Sequence, residues 1–124
     1  MRQQLIEPPR MFEVGADARI TMKHCANIEL EPNEQVTFAT ASGTQYDVAR
    51  KSWGYYATPS LNGRLRDHGL RAALVVNSAG RLYVMLVEPA HERAFKDYLD
   101  QDQQRLLTWL DQDADVERLI AALE

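Results

Sequence analysis

Cysteine is almost absent, since Cys25 stands alone in 124 residues. An intramolecular disulfide is therefore excluded. Long apolar runs are missing as well, and nothing approaches the ~20 residues that a membrane-crossing helix needs. The opening segment MRQQLIEPPR has no apolar stretch of the secretory type. The expectation is a soluble, cytoplasmic chain that does not enter a membrane. Glycine-rich phosphate loops are lacking too. Neither G-x-x-x-x-G-K-[ST] nor G-x-G-x-x-G occurs, which argues against a P-loop or a Rossmann nucleotide site. Histidine is scarce, and no H-x-H, C-x-x-C or H-E-x-x-H spacing joins His24, Cys25, His68 and His91. No metal and no cofactor is expected. On a strand, His24 and Cys25 would point to opposite faces and not converge. Cys25 reads as a small buried hydrophobe rather than a nucleophile.

What is present describes an ordinary globular chain. A hydrophobic content of 45% with 26% charged residues argues against disorder. The length suits one compact domain, residues 1–124, of which residues 1–10 form an extended N-terminal arm ending at Pro8-Pro9. A net charge of −4 argues against a nucleic-acid binder. The charge is uneven. Arg50, Lys51, Arg64, Arg66 and Arg71 face a single acid, Asp67, over residues 50–71, whereas acids dominate from Glu88 onward. A basic island in an acidic chain points to a local phosphate or carboxylate site, or to nothing more than a solvated face.

The first half alternates with period two. Ile20, Met22 and His24 would share one strand face. QVTFAT places Val36 and Phe38 inward, and QYDVARK places Tyr46 and Val48 together. Glu31-Pro32-Asn33-Glu34 and Ala41-Ser42-Gly43-Thr44 read as turns. Short strands with tight links predict an antiparallel meander. Pro59 would begin a short helix over 60–67, weakened by Gly63 and stopped at Gly69. LRAALVVN and RLYVMLVE, joined by Asn77-Ser78-Ala79-Gly80, read as a hairpin of interior strands covered on both sides. Pro89 opens a helix whose stripe is Ala90, Ala94, Phe95, Tyr98 and Leu99. Leu106 to Leu110 reads as an edge strand. Asp111 or Asp113 would cap a last helix with Val116, Leu119, Ile120 and Leu123 on one side. The fold class that follows is α+β: a mostly antiparallel sheet with two or three helices packed mainly on one face.

The segment Arg50 to Arg66, RKSWGYYATPSLNGRLR, concentrates the groups that recognise ligands. Trp53, Tyr55 and Tyr56 offer flat rings with polar tips. Asn62 can hydrogen-bond, and Arg64 or Arg66 can clamp an anion. His68 titrates near neutrality as a residue type and could move a proton. These seven residues form the candidate ligand-binding set, and no catalytic residue is assigned. The structural alternative is that Trp53 and one tyrosine cover a sheet edge while Thr58-Pro59-Ser60 caps a helix.

The run RKSWGYYATPSLNGRL, followed by GLRAALVVN and GRLYVMLVE, resembles small uncharacterised bacterial proteins associated with surface-polysaccharide gene clusters. The likeness spans Phe12 to Leu110 and implies a role near nucleotide-sugar or glycan assembly. It carries no catalytic residues.

Three functions compete at this point. The first is an accessory binding domain for a small anionic or sugar-bearing ligand. The second is a homodimeric interaction module that docks on a larger enzyme through the aromatic cluster. The third is a small isomerase or hydrolase using His68 or a tyrosine.

Overall fold

The computed structural model describes residues 1–124. Eight strands, two α-helices and three short 3-10 turns follow one another along the chain. The strands are β1 (Arg2–Val14), β2 (Ile20–Glu29), β3 (Gln35–Ala39), β4 (Gln45–Lys51), β5 (Gly54–Ala57), β6 (Arg71–Val76), β7 (Leu82–Val87) and β8 (Arg105–Trp109). The helices are α1 (Glu92–Gln101) and α2 (Asp113–Leu123). The α+β character with antiparallel pairing therefore holds. A single sheet does not. Three separate sheets form, in the orders β1-β2, β3-β4-β5 and β7-β6-β8. The chain divides into two compact units, Met1–Val36 with Val48–Tyr56, and Thr37–Asp47 with Ala57–Glu124.

In the first unit β1 and β2 make a long antiparallel ribbon, and the opening ten residues are largely part of it. Arg2 opposes Glu29, Leu5 opposes Ala26, Phe12 opposes Met22 and Val14 opposes Ile20. The register shifts between Leu5 and Arg10, where Pro8 and Pro9 supply no backbone N–H. Cys25 is exposed on this ribbon. Its expected burial fails because a two-stranded ribbon has no interior of its own.

The second unit holds the packed core. Asn77 shapes the β6–β7 hairpin as expected, since its side-chain oxygen accepts the backbone N–H of Ala79 and of Arg81 at 3.0 and 2.9 Å. Gly80 takes φ +80°, a backbone state that a Cβ disfavours. Opposed residues share a face, so the register sorts the core into two layers. Ala73 opposes Met85 and Trp109, and Val75 opposes Tyr83 and Leu106. On that face Ala73, Val75, Val87 and Trp109 pack with Leu99, Phe95 and Tyr98 of α1. The other face carries Ala72, with Leu74 and Leu86 partly buried, against Leu65, Leu70, Leu61, Tyr46 and Leu110. Each fully buried Leu or Val contributes about 1.5–3 kcal/mol.

Several expectations need correction. Of the β6–β7 pair only β6 is interior. β7 ends the sheet, and Leu82, Tyr83 and Val84 are exposed, so continuous apolarity did not mean cover on both faces. Phe38 is exposed rather than inward. Residues 60–67 form a turn followed by a 3-10 turn, Arg64–His68, because Gly63 lacks helical φ and ψ. Pro89 begins a 3-10 turn, Pro89–His91, that leads into α1. The helices do not share one face, since α2 buries none of its residues while the 60s segment covers what α1 leaves open. Gln112, not an aspartate, takes the cap position before α2, and Asp111 turns instead to Arg71.

Candidate functional site

The aromatic residues sit at the turn between β4 and β5. Gly54 at φ +145° lets the chain reverse there, with open space where a Cβ would stand. On the preceding strand Lys51 Nζ donates to Asn33 Oδ1 at 2.7 Å, and Arg50 Nη1 donates to the Leu30 carbonyl at 3.3 Å. These bonds hold the base of the turn. At its tip Trp53 is 70% exposed, and its ring lies 6.1 Å from that of Tyr56, tilted by 32°. Tyr55 is also exposed, and the Arg50 guanidinium lies 5.8 Å from its ring centre. Tyr55 and Tyr56 are neighbours on β5, so they project to opposite sides of the strand. The rings thus form two groups: Trp53 with Tyr56, and Tyr55 with Arg50. All four belong to the first unit.

Asn62, Arg64, Arg66 and His68 belong to the second unit. Ser60 organises that segment, because its hydroxyl accepts the Arg64 backbone N–H at 2.8 Å. A Cβ on Gly63 would come within 2.5 Å of that hydroxyl, so a larger residue there would push the Ser60 hydroxyl out of this bond. Leu65 is fully buried and anchors the segment, while Asn62, Arg64 and Arg66 stay at the surface and His68 is half-buried. Gly69 closes the 3-10 turn in the left-handed region, and its N–H bonds the Arg66 carbonyl at 3.0 Å.

Beside this segment lies a hollow of about 460 Å³, lined by Arg66, Gly69, Leu70, Arg71, Pro89, Asp111 and Gln112. The half-buried Arg71 is held on every side. Its Nε and Nη2 donate to the two carboxylate oxygens of Asp111 at 2.9 Å, and its Nη1 donates to Glu92 at 2.8 Å. Its guanidinium also lies 4.1 Å from the Trp109 ring centre. The Arg71 hydrogen bonds hold the Asp111 carboxyl below the usual carboxylate range, against the opposing effect of burial. The Arg71 guanidinium is in turn pushed above its ordinary value, chiefly by its hydrogen bonds to Asp111. Three of the five Arg71 N–H donors are thus committed to carboxylates, one from each nitrogen. Arg66 differs: its side chain is 78% exposed, and it reaches Asp111 only at 4.0 Å. Of the seven sequence-derived residues, this hollow gathers Arg66 alone. Arg71, Asp111, Glu92 and Trp109 were not among them, and no local motif marks a cluster whose members lie up to 40 residues apart.

Comparison with protein-family models, with curated proteins and with solved structures gives no match. No helix of the chain is long and apolar enough to cross a membrane.

Proposed function

We propose that this protein is an interaction module that presents the β4–β5 turn to a partner protein. The observation that carries this reading is the Trp53 indole, 70% exposed with the Tyr56 ring beside it. Arg50 and Tyr55 flank it on the same hairpin. Trp, Tyr and Arg are the residues that most often dominate binding energy at protein interfaces. A large aromatic ring left in water at a well-braced turn costs solvation and gains nothing from the fold, whereas a partner that buries it recovers that cost.

The test is cross-linking from the tagged chain in its native cells, followed by purification of the cross-linked protein and titration with it. Trp53→Ala is expected to weaken the titrated affinity at least tenfold, about 1.4 kcal/mol. Equal affinities for wild type and variant would remove the reading.

A second reading is an accessory domain for an anionic or sugar-bearing ligand in surface-glycan assembly. The exposed Arg66 at the 460 Å³ hollow favours it, because a guanidinium held only by a 4.0 Å ion pair could turn to the phosphate of a nucleotide sugar. Calorimetric titration with nucleotide sugars decides it: binding that Arg66→Ala abolishes supports this reading, and silence at millimolar ligand ends it.

A further inference from the structure

The β1–β2 ribbon is amphipathic, and its two outer edges are unlike. Ile20, Met22, Ala26 and Ile28 of β2 share a face with Val14, Phe12, Leu5 and Gln3 of β1, as the register pairs them, and the His24–Arg10 pair interrupts that face at its middle. The opposite face carries Thr21, Lys23, Cys25, Asn27 and Glu29. Nothing in the chain extends this sheet beyond two strands. A two-stranded ribbon is marginal in water unless a third strand or a packed layer supports it. The first unit has little to offer. Its buried apolar residues are Leu30 and Ala49. At about 45 residues it lies near the size below which disulfides, metals or oligomerisation are usually needed, and its one cysteine is free.

The edges show where support would come from. The β1 edge carries Pro8 and Pro9, which cannot donate to a further strand. The β2 edge, Ile20 to Glu29, has no proline and no bulge opposite another strand. We propose that β2 pairs antiparallel with β2 of a second copy of this chain, joining two ribbons into one four-stranded sheet. This goes beyond the interaction reading above, because it uses the β2 edge and not the β4–β5 turn.

Charge chooses the register. A two-fold axis normal to the sheet keeps both apolar faces on one side, so it must pass through a residue position. An axis at His24 would set imidazole against imidazole with Arg10, which opposes His24, beside each. Four basic groups would crowd together. An axis at Cys25 avoids this. It opposes Met22 to Ile28 and Lys23 to Asn27 of the second copy. It also brings Lys23 diagonally toward the second copy's Glu29, within reach of a long side chain. The two Cys25 residues then face each other directly, at a separation that a disulfide can bridge.

The full chain tests this without any substitution. Light scattering is expected to report twice the chain mass, and mild copper–phenanthroline oxidation is expected to give a covalent dimer that Cys25→Ser abolishes. In the Cys25→Ser background, a mixture of Lys23→Cys and Asn27→Cys chains is expected to cross-link several-fold faster than either alone. A strict monomer up to millimolar concentration overturns the proposal. So does a dimer in which Cys25 cross-links no faster than a cysteine placed at Ser78 in the Cys25→Ser chain. A monomer that keeps Trp53-dependent partner binding sinks the dimer alone, whereas a Cys25-bridged dimer with no Trp53 dependence sinks the partner reading and leaves the dimer.

Discussion

Arg71 and Asp111 form a two-pronged ion pair, Nε and Nη2 on the two carboxylate oxygens at 2.9 Å, directly over the Trp109 ring. The pair ties the start of β6 to the end of β8. The geometry matches the fork of a guanidinium to the two oxygens of a carboxylate, which is why lysine would not replace this arginine.

Asp111→Asn is expected to cost about 2–3 kcal/mol, because Arg71 loses a charged partner but keeps Glu92. The pH dependence follows from the depressed Asp111 pKa. A carboxyl whose folded pKa lies below its unfolded value stabilises the fold fully above the unfolded value, near 4. That contribution is lost as pH falls from there through the folded pKa. Urea midpoints measured across that window should fall for the wild type and change less for Asp111→Asn.

Leu65 and Leu123 make a controlled contrast. Leu65 is fully buried, and Leu65→Ala is expected to cost about 2–5 kcal/mol. Leu123 is 79% exposed on α2, and Leu123→Ala should stay within about 0.5 kcal/mol. Equal losses in urea denaturation would mean that α2 is buried in solution.

Gly69 and Gly80 both take positive φ, at +83° and +80°. Alanine at either should cost about 1–2 kcal/mol for the left-handed backbone. At Gly69 the new Cβ would also come within 3.1 Å of Thr44 Cγ2, whereas at Gly80 it meets nothing within 4 Å. Gly69→Ala should therefore lower the melting temperature more than Gly80→Ala.

The two tryptophans should report separately. Trp53 is exposed and Trp109 is buried beneath Arg71 and Phe95. In Trp109→Phe the remaining emission should be red and easily quenched by acrylamide, and in Trp53→Phe it should be blue and protected. Trp53→Phe should leave stability within about 0.5 kcal/mol.

Much of the β6–β8 sheet is legible from residues alone. Gly80 and Asn77 mark a tight turn by chemistry that acts over a few residues, and the Phe95, Tyr98, Leu99 stripe marks the face of α1 that packs on Trp109. The helix expected over 60–67 is cut short for a local reason as well, since Gly63 folds against Ser60. The candidate site is less legible. Trp53 and Tyr56 come together as neighbours on one turn, and sequence proximity makes that natural. The arginine cluster has no such signal, because Arg71, Glu92 and Asp111 come from three separate elements.

Alternation, turn residues and helical spacing act within a few residues, so the chain's own order determined its antiparallel strands, the Asn77–Gly80 reversal, and the positions of α1 and α2. Whether an apolar stripe meets another stripe depends on segments far apart in the chain, and only tertiary structure decided that. It left β7 at a sheet end, Cys25 in water and the α2 stripe uncovered, and it delivered Asp111 to Arg71 instead of to a helix cap. Contacts between distant segments leave no local periodicity behind, which is the physical reason the two kinds of information divide there.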